Sequence, residues 1–334
     1  MKSSCTVFLV GLVVASCLSA ANSEGAVKKL KKENLAKARE FIMAKARPLE
    51  QALYRLRFED GSAADVRTAL RQFQNPNGGF GKALEPDLRA PESSVLATMR
   101  ALQALAAVNT PREDPMVTRA MAYLTSTFDD TKGVWRIIPS TAGAYPHAPW
   151  WNQEQLDQVF GGFLIFPRAE LLGFLFAFDS PSFPLDKRTT LLRSLLDLLE
   201  KATDPQSAGA VESCVRLYET GHLPAEYKDR LYQKLAPLVP RAIEQNPQKW
   251  SQYCLKPTWL VRTPESPFLP LVADSVELNL DYEIENQSTD GSWAPNWSWY
   301  GAYPETWPVA ETEWRGVLTV QTLETLQAFG RIDQ

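Results

Sequence analysis

Histidine and cysteine are the scarcest chemistry-bearing residues of this chain: two histidines, His147 and His222, and four cysteines in 334 residues. Cys5 and Cys17 lie at the extreme N-terminus, which leaves Cys214 and Cys254 for the body of the chain. Two thiols cannot staple a fold of this size, and their surroundings suit a disulfide or two free thiols equally. Metal ligands are just as short. Glu212-x-Cys214 followed by His222 lacks a third ligand at a usable spacing, so no metal site is expected, and no cofactor is expected either.

Also missing are a cationic excess, long apolar runs and strand patterning. Lys and Arg number 35 against 39 Asp and Glu, a net charge of −4 that gives no basic footprint for nucleic acid. Beyond the N-terminal segment no stretch is long and apolar enough to span a bilayer. Alternating β-branched runs are nearly absent, which argues against a parallel sheet or a sandwich. No Gly-x-Ser-x-Gly elbow supports a Ser/His/Asp hydrolase.

What is present begins with an export signal. Lys2 precedes an apolar run from Val7 to Ala15, and small residues follow at Ser19, Ala20 and Ala21. This predicts a signal peptide over 1–21 and one mature domain over 22–334, placed outside the cell, in a periplasm or in a secretory lumen. Val14-Ala15-Ser16-Cys17 is an imperfect lipoprotein signal, so membrane association is expected only if Cys17 is lipidated. Lys28, Lys29, Lys31 and Lys32 read as the solvated start of a helix.

Apolar residues at three and four spacing predict helices over Leu35 to Arg57, Ala63 to Phe73, Ser94 to Val108, Pro115 to Thr127, Ala169 to Phe178, Lys187 to Ala202, Ala208 to Thr220, Ala225 to Ala242 and Leu271 to Asn286. The fold class is therefore all-α. Three helix ends share a turn signature: Gln74-Asn-Pro-Asn-Gly78-Gly-Phe80, the stretch ending Gly133-Val134-Trp135, and Gln287-(x)2-Asp290-Gly291-Ser292-Trp293. Each predicts a helix closed by a glycine turn that lays an aromatic ring back on it. A period of about 50 residues gives about six helical hairpins, enough to close into a double ring, an α/α toroid.

These turns resemble the repeats of squalene and oxidosqualene cyclases and of protein prenyltransferase β-subunits. Gln74 to Ser94, Pro146 to Trp151 and Asp290 to Ile332 are similar to a branch of that superfamily, and the similarity implies the fold rather than a reaction. The Asp-x-Asp-Asp acid of one cyclase class is missing. Phe128-Asp129-Asp130-Thr131 lies inside the second turn and reads as a turn feature.

In a toroid the ligand site is the central hole, and three segments could bring chemistry to it. Glu85 and Asp87 stand in a proline-stiffened loop before a helix, where Glu92 and Ser93 read as caps. For the two acids a salt-bridging role stands beside a catalytic one. His147 adjoins Trp150 and Trp151 as a candidate proton carrier, or as a ring that only ties its loop to a carbonyl. Trp293, Trp297, Trp299, Tyr300, Tyr303, Trp307 and Trp314 crowd one stretch, denser than a helix seam needs. Glu85, Asp87 and His147 are thus the candidate catalytic groups, and Trp150, Trp151, Trp297, Trp299, Tyr303 and Trp307 the candidate binding surface.

Glu212 and Arg216 read as an internal ion pair or as groups facing the hole. The resemblance implies a cyclase-like enzyme acting on an apolar or isoprenoid-type substrate, with carboxylates handling protons. Export and stacking tryptophans equally suit a glycan-active hydrolase or lyase. A toroid that binds a lipid or peptide without catalysis is the third expectation.

Overall fold

Proline placement decides where the helices break. The computed structural model describes residues 27–201, 207–220 and 222–333, so the segment expected to be an export signal, with Cys17, lies outside the described residues. Pro48 has no N–H to continue a ladder, and the helix expected over Leu35 to Arg57 is two, α1 (Lys32–Lys45) and α2 (Pro48–Phe58), with Pro48 in the first turn of the second. α3 (Ala63–Arg71) starts from a capping box between Ser62 and Asp65. The Ser94 hydroxyl, not Glu92 or Ser93, caps α4 (Val95–Ala107) by accepting from Ala97 N at 2.9 Å. α5 (Pro115–Ser126) begins at an Asp114 cap.

Further along come α6 (Leu156–Val159), α7 (Arg168–Ala177), α8 (Leu185–Lys201) and α9 (Ala208–Glu219). Pro237 ends α10 (Ala225–Leu235), and the expected single helix resumes only as α11 (Val239–Ala242). The short α12 (Pro257–Leu260) and α13 (Ala273–Glu285) follow. α14 (Trp307–Ala328) is the longest helix, and periodicity does not predict it. Its buried residues, among them Ala310, Trp314, Leu318, Thr319, Val320 and Leu323, wrap most of its circumference, which erases a single apolar stripe. The only strands among the described residues are the two-residue partners β1 (Phe128–Asp129) and β2 (Val134–Trp135).

Helix packing brings the first and last of the described elements together. α1 packs on α2 and α14, α2 on α3 and α14, α4 on α3, α5 and α7, and α7 on α8 and α9. Leu30 N donates to Arg331 O at 2.8 Å, and Leu30 bridges Ile332 in parallel.

Two of the three glycine turns are copies of one device. Gln74 Nε2 donates to Gly78 O at 2.9 Å and to Met116 O near the start of α5 at 3.1 Å. Gln287 Nε2 donates to Gly291 O at 2.8 Å and to Asn34 O near the start of α1 at 2.9 Å. The aromatic residue then enters the core with its backbone N–H on a helix threonine, Phe80 on Thr98 at 3.0 Å and Trp293 on Thr319 at 3.1 Å. Burying each ring contributes about 1.5–3 kcal/mol. The Gly133 turn differs from the expected common shape. It is the β1–β2 hairpin, in which the Asp129 carboxylate accepts from Thr131 N and Lys132 N. Only its peg is shared: Trp135 Nε1 donates to Leu124 O at 2.8 Å, as Trp293 Nε1 does to Glu283 O at 2.9 Å.

Candidate functional site

The loop that carries both candidate acids is held in a strained conformation. Lys82 and Ala83 take φ of 54° and 60°, a left-handed pair of non-glycine residues that costs about 1–2 kcal/mol each. Arg47 holds them: it forks onto Glu50 at 2.9 and 2.6 Å, and its remaining nitrogen donates to Ala83 O and Leu84 O at 2.9 and 3.1 Å. Beyond that clamp Glu85 turns inward to accept from Arg100 Nε of α4 at 2.8 Å.

Asp87 is buried, and its carboxylate accepts from the Trp299 indole at 2.7 Å. The Trp314 indole faces the same carboxyl but falls short of a complete hydrogen bond, which leaves a buried donor without a partner. Desolvation, and then the Glu85 charge, push the Asp87 pKa up to about 7, against the smaller opposing pull of the indole donors and Arg100. A carboxyl so placed carries a proton up to neutral pH.

The His147 loop is sewn to this one through the backbone. Arg89 N donates to Pro146 O at 3.0 Å and Ala148 N to Asp87 O at 2.9 Å, with Leu88 and His147 bridged antiparallel. His147 Nδ1 lies 2.7 Å from Tyr145 O, and since a carbonyl only accepts, that nitrogen carries the hydrogen. The ring packs beside Tyr303 at 5.5 Å. This bond ties the ring to its own loop and leaves Nε2 without the hydrogen.

The candidate binding aromatics separate into groups. Trp299 lies 6.1 Å from Tyr303 and 5.6 Å from Trp307, while Trp297 sits edge-on between Trp259 at 6.0 Å and Trp314 at 5.0 Å. Trp150 stacks on the exposed Tyr253 at 6.2 Å. Trp151 stands apart, buried against Phe160 at 5.1 Å.

Sequence reasoning missed most of the charged wall next to these rings. Arg100 lies 5.5 Å over the Trp314 ring and donates to Gln103 at 3.3 Å, and Gln103 in turn donates to Glu170 of α7 at 2.6 Å. Burial raises the Glu170 pKa. Farther along, Glu212 of α9 is 3.3 Å from Arg262 and 3.7 Å from Arg216, which also pairs with Glu219 at 2.6 Å. Arg100, Glu212 and Arg262 keep 32%, 32% and 37% of their side-chain surface accessible. Desolvation is nonetheless the largest influence on both Arg100 and Arg262, so neighbouring residues crowd these groups despite that exposure. Charged residues on otherwise apolar helices, such as Arg100 on α4 and Glu170 on α7, were the signal available in the sequence.

Cys214 is a buried free thiol, its pKa pushed up to about 12 by burial, and Cys254 is a second free thiol. Comparison of the chain with family models, with curated proteins and with solved structures gives no match.

Proposed function

We propose that the chain is an exported α/α toroid that acts by acid catalysis on a hydroxyl-rich, oligosaccharide-type ligand. The toroid reading is supported by the packing of α1 on α14 and by the duplicated glutamine–glycine turns. Function rests on one juxtaposition: Asp87, with its pKa raised to about 7, bonds Trp299 and faces Trp314, whose ring lies under Arg100 in a wall of tryptophans and accessible ion pairs that we read as the ligand recess. Asp87 donates the proton to a leaving oxygen, and the Glu212 carboxylate, held by Arg262 and Arg216, is the second carboxyl of the recess. Trp297, Trp259 and Trp150 supply flat faces for sugar rings.

An apolar polyene fits this wall less well. It would strip water from Arg100, Glu212 and Arg262 and return no hydrogen bond, and burying uncompensated polar groups costs about 1–3 kcal/mol apiece. The cluster of Trp299, Trp307, Trp297 and Trp314 remains the observation that favours an isoprenoid. Mass spectrometry of small molecules that copurify with the mature chain separates the two. An oligosaccharide supports the proposal, and an isoprenoid overturns it in favour of the cyclase-like reading.

A further inference from the structure

Trp314, Trp297 and Trp259 follow one another edge to face, and past Trp259 lies a narrow cleft between α12, α13 and the C-terminal half of α14. Its enclosed end has a volume of about 10 Å³, and Thr258, Trp259, Arg262, Gln321, Thr322 and Thr325 are among the residues that line it. That end has room for about one water-sized group, a single oxygen of a substituent rather than a ring. α14 links the two places, with Trp314 facing Asp87 near its middle and Thr325 at the cleft, about 16 Å farther along the helix axis.

Thr258 spends its hydroxyl on Asn279, but three polar side chains of α14 here are unused. Thr312 and Thr319 of the same helix spend their hydroxyls on the carbonyls of Pro308 and Arg315, four residues back, as helix threonines commonly do. Among the described residues, Thr322, Thr325 and Gln321 make no side-chain hydrogen bond to the protein. Arg262 donates Nε to Trp259 O at 3.1 Å and Nη2 to Glu212 at 3.3 Å, which leaves Nη1 free. The one carboxylate lining the cleft, Glu283, is already matched by Lys256 at 2.9 Å. A cation, two hydroxyls and an amide therefore converge on a space for one small group, beside an indole face.

We propose that this cleft is an anion subsite, in which Arg262, Gln321, Thr322 and Thr325 hold a carboxylate or sulfate substituent, so that the ligand is an acidic oligosaccharide. The inference rests on the oligosaccharide reading above and narrows it. A charge-assisted pair from Arg262 Nη1, flanked by neutral donors, is the usual recognition of such oxyanions. Arg262 also has the most to gain. Burial and the neighbouring Arg216 charge lower its pKa to about 10, whereas those of Arg100 and Arg216 are raised by their carboxylate partners.

Calorimetric titration of the mature chain with a hexagalacturonate, a sulfated chondroitin hexasaccharide and neutral cellohexaose and maltohexaose tests this. The subsite predicts that one acidic ligand binds at least tenfold more tightly than either neutral one, and which of the two it is identifies carboxylate or sulfate. R262Q should remove that preference, read as the ratio of acidic to neutral affinity within the variant because Glu212 also loses a partner, with R262K restoring part of it. T325V, which keeps the helix and its packing, should weaken acidic binding severalfold. Equal binding of neutral and acidic ligands, or an R262Q variant that keeps the preference, overturns the anion subsite while the oligosaccharide reading stands. Binding of none of the four overturns both.

Discussion

Trp299 and Asp87, 212 residues apart in sequence, meet through a single 2.7 Å hydrogen bond from the indole N–H to a buried carboxylate. The bond fastens the aromatic C-terminal stretch to the acid loop and lowers the pKa of a carboxyl that burial otherwise raises.

Replacing Trp299 with phenylalanine removes that donor and keeps most of the ring volume. The expected loss of stability is about 1–3 kcal/mol, the cost of leaving a buried polar group short of a partner. The Asp87 titration midpoint should also move above its present value of about 7, because the lost bond favoured the charged form. Urea unfolding from pH 5 to 8 measures both effects.

Asp87 itself gives stability a pH dependence of definite sign. Its folded pKa of about 7 exceeds the ordinary carboxylate value, so across the interval of about 4 to 7 the folded chain holds a proton that the unfolded chain has released. Stability from this group falls as pH rises through that window, and the penalty is complete above it. D87N can still accept from Trp299 and removes the slope. Relative to wild type it should gain on the order of 3 kcal/mol between pH 4 and pH 8 in chemical denaturation.

The glycine turns separate clash from backbone strain. Gly78, Gly133 and Gly291 have φ of 91°, 69° and 87°, so alanine is strained at each. At Gly78 an added Cβ would lie 2.4 Å from Arg119 O and at Gly291 2.3 Å from Lys37 C, whereas at Gly133 nothing comes nearer than 3.7 Å. G133A should cost about 1–2 kcal/mol, and G78A and G291A clearly more. Thermal melting of the three variants ranks them.

Those same turns mark what could be read from the sequence. Gln74 with Gly78 and Gln287 with Gly291 announce themselves, because a turn of fixed geometry demands fixed residues at fixed offsets. Gly133 carries the glycine and the aromatic without the glutamine, and it folds as a hairpin. Glu85 and Asp87 were legible as acids in a stiff loop. Their partners were not, since Arg100 and Trp299 reach them only through tertiary packing. The charged wall was legible only in part: Glu212 and Arg216 stood out on an apolar helix, but Glu170 and Arg262 lie on separate elements and share no motif with them. α14 was hidden by being buried on most of its surface, which leaves no periodic contrast.

The pair between Lys256 and Glu283, at 2.9 Å with both side chains buried and Trp259 5.0 Å from the Lys256 ammonium, supports the α12–α13 contact. K256M leaves the Glu283 carboxylate without a counter-charge and should cost about 3–5 kcal/mol. The double variant K256M/E283M should recover much of that loss. Urea denaturation of the two single variants and the double variant measures the coupling.

Release of new reducing ends from a panel of neutral and acidic polysaccharides, measured for wild type and D87N between pH 5 and 8, tests the acid role of Asp87 most directly. Acid catalysis predicts wild-type activity that declines as pH rises through about 7 and is reduced by at least a hundredfold in a D87N protein that melts no lower than wild type. Undiminished cleavage by folded D87N, or no cleavage of any polysaccharide by the wild type, would contradict it.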